Sequence, residues 1–442
     1  MMDNFMSEPS FQDVSKLSAL AFWGFGFFLS LYWPLAVTVE GAITNLAAPI
    51  LLISMLLGWW GWQSLSRSTW WLVFGFWFFV LGGVLSLINT SNWDFAGWRF
   101  EKYYPFLLVP LMLTVLARHP RTEVAVRILF WSCLVASLSL AVFTFYQQFV
   151  LDKVRVGMGE NLNPNRFGAY AFWVGVMMLS AAVTLRRGVA FWLLLTLAIA
   201  GAFYAGLASG SRGSLLGLFA GVAALAFAWL IKYFSWKRLG SILGAILVGG
   251  VGLFLVVQSN EFWSGHVERA FDNTQAYIEG EEKNTSVGTR LMMWTGAIEI
   301  WREYPLIGTG IGDPQDDLAQ WIEESGSPLE KAHSRFHSIY FDSLASTGSI
   351  GFLGMLVGIF LVPLVYFLIA YLRSGAGSWA EFAALAGFAT IVFYATVGLT
   401  GSWLFNRGMP PFLLAVLVLA SGTVLFKSSD ANIRPVTGEV VK

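Results

Sequence analysis

Charge is what this 442-residue chain has least of: Asp, Glu, Lys and Arg together make up 12% of it, against roughly 25% in soluble globular domains. That deficit excludes a disordered chain, a solvated repeat array and an ordinary soluble enzyme. The 27 basic and 27 acidic residues cancel, so no global field draws the chain to nucleic acid. Cysteine is nearly absent. Cys133 stands alone inside an apolar run, which excludes a disulfide framework and a Cys-based zinc site. Histidine is scarce too, with four in the chain. What is abundant is apolar and aromatic: 56% of residues are hydrophobic and 21 are Trp. The tryptophans gather near the ends of apolar runs (Trp59, Trp60 and Trp62; Trp70 and Trp71; Trp93 and Trp98), as in the aromatic belt of a polytopic membrane protein.

A helix needs about 20 apolar residues to cross a bilayer. Runs meeting or approaching that length fall at 17–37, 42–61, 69–89, 103–117, 125–150, 167–185, 189–208, 213–231, 239–258, 348–372, 381–404 and 410–426. They predict one all-α membrane domain over 1–442 with about twelve crossings. The fourth run is short and holds Pro105 and Pro110. The first is too long, and its leader (Asp3, Glu8, Asp13) too acidic, for a cleaved signal peptide. Lys and Arg favour cytoplasmic loops. Arg67, the Arg118–Arg127 cluster, Arg186 and Arg187, Lys232 to Arg238 and Arg373 then orient both termini inside. The stretch 259–337, between the ninth and tenth crossings, becomes a long outer loop.

The cations that break this bias are informative. Arg99 and Lys102, Arg166, Arg212 and Arg407 precede the even-numbered helices, at their outward N-termini. A helix N-terminus already carries about half a positive charge, so cations collected there make sense around an anion. The alternative is snorkelling to lipid phosphates. The spans themselves hold almost no ionisable side chain, which lowers the case for an ion-coupled transporter.

Short motifs line the same face. In Ser209-Gly-Ser-Arg-Gly-Ser214, small residues let backbone N–H groups approach a ligand, Ser211 and its neighbours can donate, and Arg212 can grip phosphate oxygens in pairs. A plain small-residue turn is the competing reading. Asn161-Leu-Asn-Pro-Asn-Arg166 opens helix six, with Asn165 as a candidate cap and Arg166 as an anion contact. Within the outer loop, Leu291, Trp294, Ile298 and Trp301 recur at helical spacing, predicting an amphipathic helix near the membrane surface with Arg290 in its first turn. Gly308-Thr-Gly-Ile-Gly-Asp313 lacks the Lys and the βαβ context of a nucleotide loop. Asp313, Asp316 and Asp317 read as solvated carboxylates before metal ligands, and His333 with His337 lacks a third zinc ligand. His337 closes the loop at the membrane boundary, where a neutral imidazole can position or accept a hydroxyl proton, or simply serve the structure.

Taken in order, Ser211-Arg212-Gly213 opening a helix, Thr289-Arg290, the Gly-x-Gly-x-Gly run and His337-Ser-x-Tyr340 before a helix with Gly348 and Gly351 resemble the O-antigen ligase and polymerase superfamily. Asn often follows the histidine in that family; here it is Ser338. The resemblance implies a GT-C-like membrane glycosyltransferase of the Gram-negative inner membrane, working on the periplasmic face. Its donor would be a glycan on undecaprenyl diphosphate and its acceptor a lipid A-core sugar hydroxyl. For a polymerase the acceptor would be another lipid-linked repeat, and for protein O-oligosaccharyltransferases a side-chain hydroxyl. It implies His337, Arg212 and Arg290 as catalytic groups in a metal-independent, inverting reaction without a cofactor. Arg166, Arg99, Lys102, Ser211 and Tyr340 would contact substrate. A lipid-linked glycan transporter is the alternative from another class.

Overall fold

The computed structural model describes chiefly residues 65–117, 123–158, 163–236, 286–326, 335–406 and 408–424. Among them the only β pairing is an isolated bridge between Met158 and Asn163; the rest is helix and connection. The helices are α1 (Arg67–Ser86), α2 (Trp93–Phe100), α3 (Tyr104–Leu107), α4 (Val109–Ala117), α5 (Glu123–Phe149), α6 (Pro164–Thr184), α7 (Val189–Ala208), α8 (Arg212–Tyr233), α9 (Ser286–Glu303), α10 (Pro314–Ser325), α11 (Ile339–Gly354), α12 (Val362–Arg373), α13 (Trp379–Gly398) and α14 (Met409–Val424).

Among the described residues, seven spans are long and apolar enough to cross a bilayer: α1, α5, α6, α7, α8, α13, and the continuous Ile339–Arg373 made of α11, a π-helical turn and α12. The predicted runs 42–61 and 239–258 lie largely outside the described residues; of the run 17–37, residues 23–24 and 26–35 are described, and they are helical. Two others are shorter than expected. The run 103–117 divides into α3 and α4, because Pro110 brings no N–H donor to a ladder that Pro105 had just opened. The last run yields the 16-residue α14.

α6 and α13 form the centre of the bundle, with 78% and 83% of their apolar windows buried. α7 and α8 lie outside them and turn Leu193, Leu197, Phe219 and Phe227 outward, as helices facing lipid do. α1 and α11 approach backbone to backbone. Gly82 lies on Gly351 and Gly75 on Gly358, so a methyl at either position would enter the opposite chain.

α11 is interrupted. Gly348 has φ +60°, a left-handed conformation inside a helix, and the carbonyls and amides around the break need other partners. The Gly308–Gly312 run supplies them. Thr309 N–H donates to Ala345 O at 3.2 Å and Gly310 N–H to Ser346 O at 3.1 Å, while Ser349 and Ile350 donate to Pro305 and Leu306. Gly308, itself at φ +70°, presses onto Ser346 and Thr347 where no side chain fits. The glycine run is therefore a brace for a broken helix.

The helices alternate in direction, so the connections collect at two ends. One end gathers 87–104, 150–163, 209–211, α9, α10 and 399–408. At the other, the buried Lys232 ammonium meets Glu381 at 2.9 Å and also donates to Tyr371 O and Ser374 O. Ser378 caps Glu381 N–H there, and Glu381 accepts from Gly377 N–H in return, a reciprocal cap that starts α13.

Candidate functional site

The first of these ends is organised around one buried carboxylate. Asp342, fully enclosed in the first turn of α11, lies 3.6 Å from the Arg99 guanidinium of α2, which is equally buried. It accepts from Phe336 N–H at 3.0 Å and from the Ser402 hydroxyl. Three separate stretches of chain are thus tied to one side chain: α2, the approach to His337, and the turn after α13. Such a charge is kept inside only because it is paired and hydrogen-bonded.

His337 sits immediately beyond that tie, with φ +54°, one of two non-glycine residues in the left-handed region among those described. A branched or bulky residue seldom holds this conformation without a constraint. The constraint is visible on both sides. Phe336 N–H is held by Asp342, and Phe336 O accepts from Trp294 Nε1 of α9 at 2.9 Å. Trp294 also stacks on Phe341, with ring centres 4.9 Å apart. The imidazole keeps an open face, with the His333 ring edge-on at 5.5 Å. Burial of the remainder, followed by the Arg290 cation, holds its pKa below the ordinary histidine value.

The predicted outer helix is there, as α9, but its packed side differs from the one expected. Met292, Met293, Ala297 and Ile300 are buried, joining Leu318, Phe336 and Ala345 in a small core of their own. Leu291, Trp294, Ile298 and Trp301 are half-buried along its margin. The helix packs on α11 instead of relying on a lipid surface alone. That packing sets the half-buried Arg290 in the field of His337.

Arg335 was not singled out from the sequence. It stands two residues before His337 with its guanidinium 5.1 Å from the Trp98 ring centre and donates to Ser402 O. Burial lowers its pKa to about 10, helped by the cations of Arg99 and Arg166, while Asp342 opposes. Arg99, Arg166, Arg335, Arg290 and His337 therefore share one electrostatic neighbourhood. Lys102 reaches the same Trp98 ring at 5.2 Å and also meets Glu101. No motif marked Arg335; the signal available was only its spacing from His337.

Arg212 occupies the adjoining corner, exposed at the first position of α8. The turn before it is hydrogen-bonded to the start of α6: Ser214 donates to Asn165 O at 3.1 Å, and Ser209 and Ser211 pack on Gly168. The cap of α6 is Asn163, whose Oδ1 accepts from Arg166 N–H at 3.1 Å, and not the expected Asn165; exposed Arg166 and Arg212 thus belong to two helix N-termini joined directly. Gly213 lies against Thr400, next to the turn that carries Ser402. The Ser211 hydroxyl is paired with Ser214 at 2.7 Å, and Tyr340 donates to Ala395 O at 2.7 Å. Both hydroxyls are engaged within the protein. Arg155 holds the turn from the other side through Ser209 O and Gly210 O. Arg407 lies outside the described residues.

The aspartates of the loop divide. Asp313 accepts from Ser91 N–H and Oγ and from Asn92 N–H, fastening α10 to the start of α2, and Asp316 accepts from Asn92 Nδ2. Asp317 accepts from Thr309, yet burial, with Asp313, Asp316 and Glu303 nearby, raises its pKa to about 7. A carboxyl that holds its proton more tightly folded than unfolded loses stability as pH rises from about 4 through 7. Asp317→Asn keeps the acceptor and removes that loss. Its thermal midpoint in detergent should exceed the native value at pH 8 and converge with it at pH 4; an equal difference at both pH values would contradict the assignment.

Residues 197–356 match the family model described as O-antigen ligase. A protein of Haemophilus influenzae (strain Rd) named "Uncharacterized protein" is 30% identical over 167 residues, which cover 36% of this chain and 39% of that protein. The model's match runs from α7 into the π-helical turn after α11 and contains Arg212, Arg290, Arg335, His337 and Asp342. Over that segment the resemblance of this multi-pass helical chain to the O-antigen ligase superfamily is borne out.

Proposed function

We propose that the chain is an O-antigen ligase. It takes a glycan from undecaprenyl diphosphate and joins it to a sugar hydroxyl of lipid A-core on the periplasmic side of a Gram-negative inner membrane. The frame is GT-C-like with twelve crossings and both termini inside, and 259–337 is the periplasmic loop. The observation that carries the reading is the shared field of Arg290, Arg335 and His337, with Arg166 close to Arg335 and Arg212 on the adjoining helix start. Guanidinium groups match phosphate oxygens in geometry and stay charged at any working pH.

In the reaction, the acceptor hydroxyl attacks the anomeric carbon from the face opposite the diphosphate. The C–O bond to the diphosphate breaks and its electron pair leaves on the phosphate oxygen. His337 takes the hydroxyl proton, and a lowered pKa keeps its imidazole neutral for that task near pH 7. Arg290 and Arg212 stabilise the charge that develops on the leaving group, a role for which no divalent cation is needed. Arg166 and Lys102 hold the headgroup at the rim. Arg99, ion-paired with Asp342, and Tyr340 and Ser211, bonded inside the protein, support the surfaces that meet substrate.

The test is transfer in one detergent micelle holding purified protein, lipid-linked donor and lipid A-core acceptor, with EDTA present. Product should form, and Arg290→Ala should lower the rate by about 100-fold or more. Strict dependence on Mg²⁺ or Mn²⁺ would overturn the arginine mechanism. Donor-to-donor joining without use of the core would identify a polymerase instead.

A further inference from the structure

Beneath α9 and α10, away from His337, a cavity of about 250 Å³ opens. It lies below the roughly 300–1,000 Å³ of pockets built for drug-sized ligands, a size suited to one ring. Its walls combine two aromatic rings, Tyr304 and Trp321, with the amides of Asn89 and Gln320 and the carboxylates of Glu303 and Glu324. Ile300 closes the apolar floor. Aromatic faces take the C–H side of a pyranose, while amides and carboxylates exchange hydrogen bonds with its hydroxyls; carboxylate acceptors make the stronger bonds.

The charge of the walls is selective. Asp313 is already saturated by Ser91 and Asn92. Asp317, at a pKa of about 7, both donates and accepts near neutrality. Glu324 accepts from Gln320 Nε2 at 2.8 Å and keeps its second oxygen; with Glu303 it welcomes hydroxyl or ammonium donors while repelling phosphate and uronate. This is the reverse of the arginine-rich site at the other end of the same helix. Arg290 and Glu303 are 13 residues apart on α9, about 20 Å at about 1.5 Å per residue.

The geometry points to a second, remote sugar subsite in this cavity that binds an uncharged or amino-bearing pyranose unit and rejects anionic sugars. The inference rests on the glycosyl-transfer reading for its purpose: a glycan held by its diphosphate near Arg290 can be gripped again several units along. Binding energy from a distant part of a substrate can then orient the reacting end.

A printed oligosaccharide array carrying neutral, free-amino and uronate or phosphorylated glycans, probed with the detergent-purified full chain, tests this. Neutral and amino-bearing glycans should bind, and any capture of anionic ones, which the arginine-rich site supplies, should be unchanged in the cavity variants. Tyr304→Ala and the double variant Gln320→Ala/Glu324→Ala should each weaken binding roughly tenfold or more. These side chains are exposed, so truncation leaves the fold in place. Slower amide exchange over 300–304 and 320–324 with the bound glycan would locate it. Loss of anionic-glycan capture in the cavity variants, no binding of neutral or amino-bearing glycans, or cavity variants that bind these like the native chain would each overturn the inference. Array binding without transfer would sink only the ligase reading; transfer without array binding would sink only the subsite.

Discussion

His337→Ala should leave a folded protein whose transfer rate is lower by roughly 10²–10⁴-fold, the range lost with a general base. The residue is exposed and its ring has an open face, so the change is chiefly chemical. A pH profile separates a base from a bystander. With the histidine pKa held below about 6.5, kcat/KM should fall only on the acid side of neutrality as the imidazole takes up a proton. Arg290 contributes to that lowering, so Arg290→Ala should move the acid limb upward as well as slow the reaction. Removing Arg335, a smaller contributor, should move it less. A flat profile in the native chain, or an unmoved limb in Arg290→Ala, would remove His337 from the role. The backbone offers a further check. At φ +54° a side chain is strained, so His337→Gly, equally inactive, should be more stable than His337→Ala by about 1 kcal/mol.

Asp342→Ala should be the most destabilising single change at this end of the molecule, at about 3–5 kcal/mol. It strands the buried Arg99 cation and frees Phe336 N–H and Ser402 together. Replacing both members, as Arg99→Met with Asp342→Ala, should restore much of the thermal midpoint, because the cost lies in the uncompensated charge. Activity should not return with it, since the tie to Phe336 that sets His337 is still missing. Asp342→Asn keeps a neutral acceptor for Phe336 and should fall between native and Ala. A midpoint for Asp342→Ala equal to that of a surface control would refute the anchoring role.

Much of the site was readable one residue at a time. Arg212, Arg290, Arg166 and His337 stand beside helix starts or at a predicted boundary, where charge and hydropathy change over a few neighbours. Arg335 and Asp342 were not readable, because their meaning lies in groups far along the chain: Trp98, Arg99 and Ser402. The glycine run at 308–312 shows the same limit. Its composition imitates a nucleotide loop without the residues to be one, and its partners turn out to be the broken backbone of α11. The outer helix was legible in its period and missed in its facing, since Met292, Ala297 and Ile300 are buried by α10 and α11 and not by any pattern within α9.

Composition and run length by themselves determined that this is a helical membrane chain, that a minority of its cations stand at helix starts against the general bias, and that the 290s are helical. These follow from the thickness of hydrocarbon and the 3.6-residue turn, which act on neighbours in sequence. Only the tertiary structure decided which cations share a field with His337, which arginine is matched by Asp342, and that the loop encloses a carboxylate-walled cavity. Those outcomes depend on distances between segments hundreds of residues apart, and burial in a packed end sets both the strength of the charges and which of them remain open to a substrate.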